Sequence, residues 1–316
     1  MNAAPESAPS SRPQSAWSRI ADSDLWWDFK RSPSVIVAAA ITVLMILSSL
    51  FAPYVAPHDP FDMSGIDLLD ALKPPAWSRG GEIGYLLGTD DQGRDVLSTI
   101  LHGSRVSLLV GFLSVLMAMI IGVAVGLIAG YAGGWIDSVL MRIADVQLSF
   151  PAILVALLID GVARGLLPRG AHEEVAVIVL IVAIGLSFWV QFARTVRGST
   201  MVERTKEYVQ SAQVIGLPDA LILTRHILPN VMGPVLVIAT IQLALAIIIE
   251  ATLSFLGVGV PPTSPSLGTL IRIGNDYLFS GEWWITAFPG LALIILVLAV
   301  NLLGDWLRDA LNPKLR

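Results

Sequence analysis

Long stretches without a charged residue divide the chain into segments that could each cross a lipid bilayer. Five such stretches contain no Asp, Glu, Lys or Arg, namely residues 34–57, 106–136, 175–193, 226–249 and 283–304. A sixth, residues 138–159, is apolar apart from Arg142 and Asp145 near one end. Since a helix needs about 20 apolar residues to span the hydrocarbon core, the pattern predicts six transmembrane helices. Their predicted bounds are 34–55, 105–130, 138–160, 174–194, 232–256 and 284–304.

The distribution of basic residues predicts how these helices are oriented. Six spans place both termini on the same side of the membrane. If that side is the cytoplasm, 13 of the 20 Lys and Arg residues are cytoplasmic. Because cytoplasmic segments of membrane proteins carry an excess of Lys and Arg, we expect an N-in, C-in topology.

The same pattern divides the chain into successive parts. They are a cytoplasmic N-terminal tail with an interfacial segment (1–33), a first transmembrane helix (34–56), an external loop (57–104), a five-helix core (105–304) and a cytoplasmic C-terminal tail (305–316). The end of the external loop, at 91–109, has apolar residues at helical spacing and predicts an interfacial amphipathic helix. The Pro-rich residues 260–268 predict a re-entrant or external loop after the fifth span.

Composition restricts the class of protein further. The chain is 54% hydrophobic and only 14% charged, with a mean hydropathy of +0.72, whereas soluble domains average about 25% charged residues. This excludes a disordered chain and argues against an ordinary soluble enzyme. The absence of cysteine excludes disulfides, thiol catalysis and Cys-based metal sites. The thinly spread basic residues form no stripe for nucleic acid, and no residue is predicted to be catalytic, cofactor-binding or metal-binding.

Residues 203–230, ERTKEYVQSAQVIGLPDALILTRHILPN, predict a compact helical elbow between two spans. A short helix over 207–215 would end at Gly216, because Gly is preferred just after a helix end. A second short helix, 219–228, would follow the turn and end at Pro229. The expected common face of the first helix consists of Tyr208, Ser211, Ala212 and Ile215. Small side chains at Ser211 and Ala212 would admit a close partner, and Leu217 would be exposed at the corner.

This elbow resembles the EAA-x3-G-x9-I-x-LP pattern of inner-membrane permease subunits of binding-protein-dependent ABC importers. With Gly216 aligned to the Gly of that pattern, 210–212 (Gln-Ser-Ala) occupy the E-A-A positions, and His226 occupies the Ile position. Leu228 and Pro229 match the final L-P. The segments 87–108, 131–151, 250–262 and 301–316 are similar to the dipeptide and oligopeptide branch, so the resemblance covers most of residues 30–316.

The resemblance implies an all-α, type I permease fold that couples to a motor in another chain. It implies a second homologous permease subunit, two cytoplasmic ATPase subunits and an external solute-binding protein as partners, with the lipid bilayer as solvent. The chain has no GxxxxGK[ST] phosphate loop, so ATP and Mg are expected in the ATPase subunits. The implied coupling residues are Glu207, Ser211, Ala212, Gly216, Leu217, Pro218, His226, Leu228 and Pro229. The implied solute is a dipeptide or oligopeptide, with nickel, glutathione or another small solute as the alternative.

Three charged residues in or near the spans are candidates for a gate or translocation role. Glu250 is the clearest, since an ionisable group in a span suggests function by default, although it could instead cap backbone groups. Arg142 and Asp145 are three residues apart and could simply form a salt bridge. For Glu207 a solvated helix-start carboxylate, and for His226 a structural hydrogen bond, are the alternatives.

Two further patterns concern packing. Gly122, Gly126 and Gly130 recur at four-residue spacing and predict close packing with another helix, within the bundle or between subunits. Trp283 and Trp284 suit an interfacial aromatic belt.

Two other classes of membrane protein remain as alternatives. A stand-alone secondary transporter would require inverted repeats and charges near mid-span, neither of which is clear in the sequence. An intramembrane enzyme would require a pair of catalytic groups such as HExxH within the spans, and the sequence contains none.

Overall fold

The computed structural model describes residues 29–62, 66–166 and 168–310, with the side chains of 169–174 excluded. The expectations for residues 1–28 and 311–316 lie outside these ranges. The described chain is helical and contains no β-strand. Its helices are α1 (Pro33–Leu50), α2 (Ala52–Val55), α3 (Val96–Ala132), α4 (Gly134–Leu148), α5 (Ala152–Leu166), α6 (Arg169–Glu203), α7 (Glu207–Val214), α8 (Asp219–Leu221), α9 (Leu228–Phe255), α10 (Leu267–Asn275) and α11 (Trp284–Ala310).

Five long helices have the length and composition of membrane spans, and a broken pair supplies a sixth apolar segment. The five contain α1, α3, α6, α9 and α11. The sixth segment is the pair α4 and α5, which meet at a bend of 90°. Pro151 lies at this bend, and a proline cannot donate the backbone hydrogen bond that would continue α4. The all-α fold is therefore confirmed, but the predicted uninterrupted helix over 138–160 is wrong.

Helix α3 contains most of the interfacial helix predicted at 91–109, as one helix with the second span. Asp95 caps its N-terminus by accepting a hydrogen bond from the backbone N–H of Ser98 at 2.9 Å. From Val96 the helix runs without interruption for 37 residues. Val96 and Ile100 are buried beside residues of α10 and α11, so the first turns of this helix lie against protein.

The glycines of α3 bring it into backbone contact with α6. A Cβ atom on Gly126 would lie 2.6 Å from the carbonyl oxygen of Ala193, and one on Gly130 would lie 2.7 Å from that of Arg197. A Cβ on Gly122 would lie 2.4 Å from the carbonyl oxygen of Trp189. Only glycine permits this approach, which confirms the predicted packing role and places it within the bundle.

Several helices extend beyond their predicted ends. Helix α6 continues to Glu203, nine residues past its expected limit, and α11 continues to Ala310. Residues 305–310, predicted as part of a tail, are therefore helical. Polar side chains do not interrupt a helix whose backbone hydrogen bonds are intact, so charge-free runs underestimate its length.

Residues 66–95 form a folded cap at the end of the bundle where α3 begins. The buried Arg94 donates from Nε to Asp90 Oδ2 at 2.7 Å, and its own backbone N–H donates to Asp90 Oδ1 at 2.9 Å. The indole Nε1 of Trp284 donates to the carbonyl oxygen of Thr89 at 3.1 Å. Trp284 is only 7% exposed, so its predicted place in an aromatic belt is wrong: it holds the cap onto α11.

Candidate functional site

The elbow at residues 203–230 begins with a short helix that Gly216 ends. The backbone N–H of Leu217 donates to the carbonyl oxygen of Ala212 at 3.1 Å, and that of Gly216 donates to Gln213 at 3.0 Å. This pair of bonds is a Schellman motif, which requires a left-handed residue after the helix. Gly216 supplies it with φ of +82°. The structure thus confirms the helix end at Gly216.

The buried and exposed faces of α7 are not the ones predicted from the sequence. Val209 and Ala212 are buried against the rest of the chain, whereas Ser211 is exposed. Ser211 and Ala212 therefore do not form one surface for a partner, and Leu217 is partly buried against the core instead of exposed. The outward face consists of Glu207, Gln210, Ser211, Val214 and Ile215, which line a shallow open concavity.

The second half of the elbow is continuous with α9, the fourth of the five long helices. After Pro218 the chain forms α8, a π-helical turn at Ile222–Ile227, and then α9. Pro229 lies in the first turn of α9, so the prediction that the elbow helix ends there is wrong. Because proline cannot pair with the carbonyl four residues earlier, the helix widens just before it. The helical path 219–255 has 37 residues and is about 55 Å long.

Two tyrosines fasten the elbow to the ends of the long helices. Tyr131, at the end of α3, donates to Asp219 Oδ1 at 2.6 Å and accepts from Gln213 Nε2 at 3.2 Å. Tyr208 of α7 donates to Glu203 Oε2 at 2.5 Å and accepts from Asn230 Nδ2 at 3.1 Å. Sequence reasoning missed the role of Tyr131, because its partners lie more than 80 positions away.

Partial burial and the neighbouring Glu203 carboxylate raise the pKa of Tyr208 to about 12. Its hydroxyl therefore remains protonated at neutral pH and continues to donate to Glu203.

His226 takes part in the elbow through its backbone. Its carbonyl oxygen accepts from Asn230 Nδ2 at 2.6 Å. Its ring nitrogen Nδ1 is buried and has no hydrogen-bond partner among the described residues. The structural hydrogen bond expected of the His226 side chain is therefore not made by Nδ1. Leu228 is partly buried, and Pro218, Pro229 and Glu207 are exposed.

Glu250 lies near the opposite end of α9 from the elbow and is fully buried. Its carboxyl group accepts hydrogen bonds from Ser107 Oγ of α3 and Ser254 Oγ of α9, both at 2.7 Å. Ser107 Oγ in turn accepts from the backbone N–H of Leu267 at 3.2 Å, and Ser254 Oγ from that of Val260 at 3.4 Å. Glu250 thus orients two hydroxyls that bind the middle of loop 256–266 at Val260 and the first residue of α10, Leu267. The interruption predicted at 260–268 is confirmed, and its last two residues begin α10.

Asp145 and Arg142 lie on α4 and differ in their partners. Asp145 forms an ion pair with Arg194 of α6. No ion pair joins Arg142 to Asp145 in the described part of the chain, and Arg142 is exposed. The predicted pairing of these two residues is therefore wrong, because Asp145 instead ties the broken helix to its neighbour.

Comparison with known proteins gives the family. Residues 122–316 match the family described as binding-protein-dependent transport system inner membrane component. Residues 23–75 match the N-terminal TM domain of oligopeptide transport permease C. The chain is 38% identical over 293 residues to the dipeptide transport system permease protein DppC of Haemophilus influenzae, covering 93% of this chain and 95% of that protein. It is 36% identical over 293 residues to the glutathione transport system permease protein GsiD of Pectobacterium atrosepticum, covering 93% and 91%.

The fold agrees with this assignment. An inward-facing structure of the MetNI methionine ABC transporter matches with a TM-score of 0.52 and 18% identity, covering 68% of this chain and 96% of that chain. Together with the long apolar helices, these relationships establish a transport role in the bacterial inner membrane. The chain belongs to the family of binding-protein-dependent ABC importer permeases, with the type I fold, and is a multi-pass inner-membrane protein.

Proposed function

We propose that this chain forms half of the translocation pathway of a peptide importer. A second homologous permease subunit supplies the other half, an external solute-binding protein delivers the peptide, and two ATPase subunits bind ATP and Mg. The elbow docks on an ATPase subunit. The N-in, C-in topology then places the elbow in the cytoplasm and the cap at 66–95 outside.

The exposed tip of the elbow carries this proposal. Val214 is 88% exposed and Ile215 is 77% exposed, although both are large apolar residues outside the long helices. They project from a helix whose other face is held by Val209 and Ala212. An apolar surface on a fixed support suits a protein partner. The tyrosine bonds to α3, α6 and α9 would pass a tilt of the elbow to the spans, as alternating access requires.

The absence of native cysteine permits a direct test of this contact. Ile215→Cys is expected to form a cross-link to an ATPase subunit in inner-membrane vesicles treated with a short bifunctional thiol–amine reagent. Ser280→Cys, on an exposed turn at the other end of the bundle, is the matched control and is expected to give none. A cross-link from Ser280→Cys, or none from Ile215→Cys, would refute the docking assignment.

Gly216→Pro tests the shape of the elbow. Proline fixes φ near −65° and has no N–H, whereas residue 216 has φ of +82° and donates to Gln213. We expect normal membrane insertion but loss of most ATP-dependent uptake, with ATP hydrolysis by the complex no longer stimulated by solute. Gly198→Ala, at a helical glycine with no neighbouring atom within 4 Å of its Cβ position, is the control. Normal uptake by the Gly216→Pro variant would contradict the proposal.

A peptide is favoured as the solute because the matched relatives are named mainly as peptide permeases. The alternatives within the same family are glutathione, nickel or another small solute. One relative is named as a glutathione permease. Uptake of a labelled dipeptide by whole cells, measured with unlabelled glutathione or nickel as the competitor, distinguishes these solutes. A stand-alone secondary transporter is the distant alternative and would move solute after reconstitution without ATP.

Glu250 is proposed to act at a gate by fixing loop 256–266. The geometry that supports this is its position on the helical path that starts at the elbow. For Asp145 the proposed role is to keep the broken helix oriented, through its ion pair with Arg194.

A further inference from the structure

An apolar groove on the outside of the bundle has an unpartnered cation at one end. The groove lies between α1, α3 and α9, and Arg105 stands at its mouth. Arg105 is exposed, and its guanidinium has no hydrogen-bond or ion-pair partner among the described residues. The groove is otherwise lined by Ile46, Ser49, Leu50, Leu108, Leu109, Phe112, Leu113 and Leu243.

The position of Arg105 along α3 corresponds to the membrane boundary. Residues 106–136 contain no charged residue, so Arg105 is the last charged side chain before this apolar run, and we place the membrane boundary beside it. Basic side chains at such a boundary reach toward lipid headgroups. The apolar side chains of the groove follow on the membrane side of Arg105, where acyl chains lie.

The groove is long enough for an acyl chain. A second apolar groove shares Phe112 and Leu243 with the first and continues along α3 to Met119. From Arg105 to Met119 the helix rises about 21 Å, which exceeds the roughly 15 Å depth of one hydrocarbon leaflet. Four of the lining side chains, Ile46, Leu50, Leu109 and Phe112, are between 43% and 59% exposed.

We propose that this groove binds an anionic phospholipid of the leaflet on the cap side. The phosphodiester pairs with the Arg105 guanidinium, which matches phosphate oxygens in a bidentate geometry. One acyl chain occupies the groove between α1, α3 and α9. A second protein helix is the competing occupant, but it would bury an unpaired guanidinium unless it supplied a carboxylate of its own. The proposal does not depend on docking of the elbow.

Native mass spectrometry of the purified transporter complex in mild detergent, titrated with phosphatidylglycerol, tests this site. Arg105→Gln is expected to weaken binding of the tightest lipid about tenfold, the loss typical of a charge-assisted hydrogen bond. Arg105→Lys should lose less, since it keeps the charge but not the bidentate geometry. Leu109→Trp should also weaken binding by filling the groove while leaving Arg105 in place.

Arg79→Gln is the matched control, because Arg79 is an exposed basic residue of the cap outside the groove. Unchanged lipid affinity in Arg105→Gln, or an equal loss in Arg79→Gln, would overturn the proposal. It would also be overturned if Arg105→Gln and Leu109→Trp released the second permease subunit from the purified complex with lipid binding intact, since a protein would then occupy the groove. Melting temperatures close to that of the parent chain are required of each variant, and Leu109→Trp and Arg105→Gln alter the site by independent means.

Discussion

Replacing Gly126 by leucine is expected to destabilise the bundle, because the new side chain would be forced against the backbone of α6. Even a methyl group at this position would lie 2.6 Å from the carbonyl oxygen of Ala193 and 2.7 Å from Val196 Cβ. The nearest of these atoms belongs to the backbone of α6, so no rotation of a side chain relieves the clash. Helices α3 and α6 would have to separate, and a strain of about 2–3 kcal/mol is typical of such overpacking.

The measurement is the thermal unfolding of the chain in mild detergent. A loss of that size corresponds to a decrease in Tm of about 5–10 °C for a chain of this length, and we expect a lower yield of folded protein in the membrane. Gly198→Leu is the matched control on the partner helix, because a Cβ there has no neighbour within 4 Å. An unchanged Tm for Gly126→Leu would show that the two helices do not pack closely at this point.

The positions of the long helices could be predicted from the sequence because the bilayer imposes a simple requirement. A charge-free run near 20 residues long indicates a span whatever its neighbours are, and the glycine spacing of 122, 126 and 130 indicates a close contact because other residues would prevent it. Helix ends were less predictable. Helix α6 continues to Glu203, since a helix leaving the membrane meets water without losing its own hydrogen bonds.

In the candidate site, some features follow from the local sequence and others depend on distant residues. The end of α7 at Gly216 follows from a local backbone requirement and was predictable. The buried face of the same helix was not, because it depends on which side meets the bundle: Ala212 faces inward and Ser211 outward. In the same way, Asp145 could be expected to pair with Arg142 by spacing alone, whereas its partner is Arg194, 49 positions away.

The second large effect is expected from Glu250→Leu. This substitution removes the acceptor of both Ser107 Oγ and Ser254 Oγ, which lie 2.7 Å from the carboxylate oxygens. The two hydroxyls would then turn to other acceptors and cease to hold the backbone N–H groups of Val260 and Leu267. We expect amide hydrogen exchange at residues 260 and 267 to accelerate roughly tenfold, since each bond contributes on the order of 1 kcal/mol.

Hydrogen-exchange mass spectrometry of peptides covering 256–275 measures this loosening, and two variants separate its causes. Glu250→Gln retains one acceptor oxygen at nearly the same volume and should exchange at an intermediate rate. Thr252→Val removes a hydroxyl from the same helix that donates only to the carbonyl oxygen of Ile248, and it should leave the loop unchanged. Equal acceleration in Thr252→Val would mean that α9 itself, and not the carboxylate, controls the loop. Because the helix that bears Glu250 begins at the elbow, loosening of the loop should be accompanied by reduced uptake, while the Ile215→Cys cross-link to the ATPase persists.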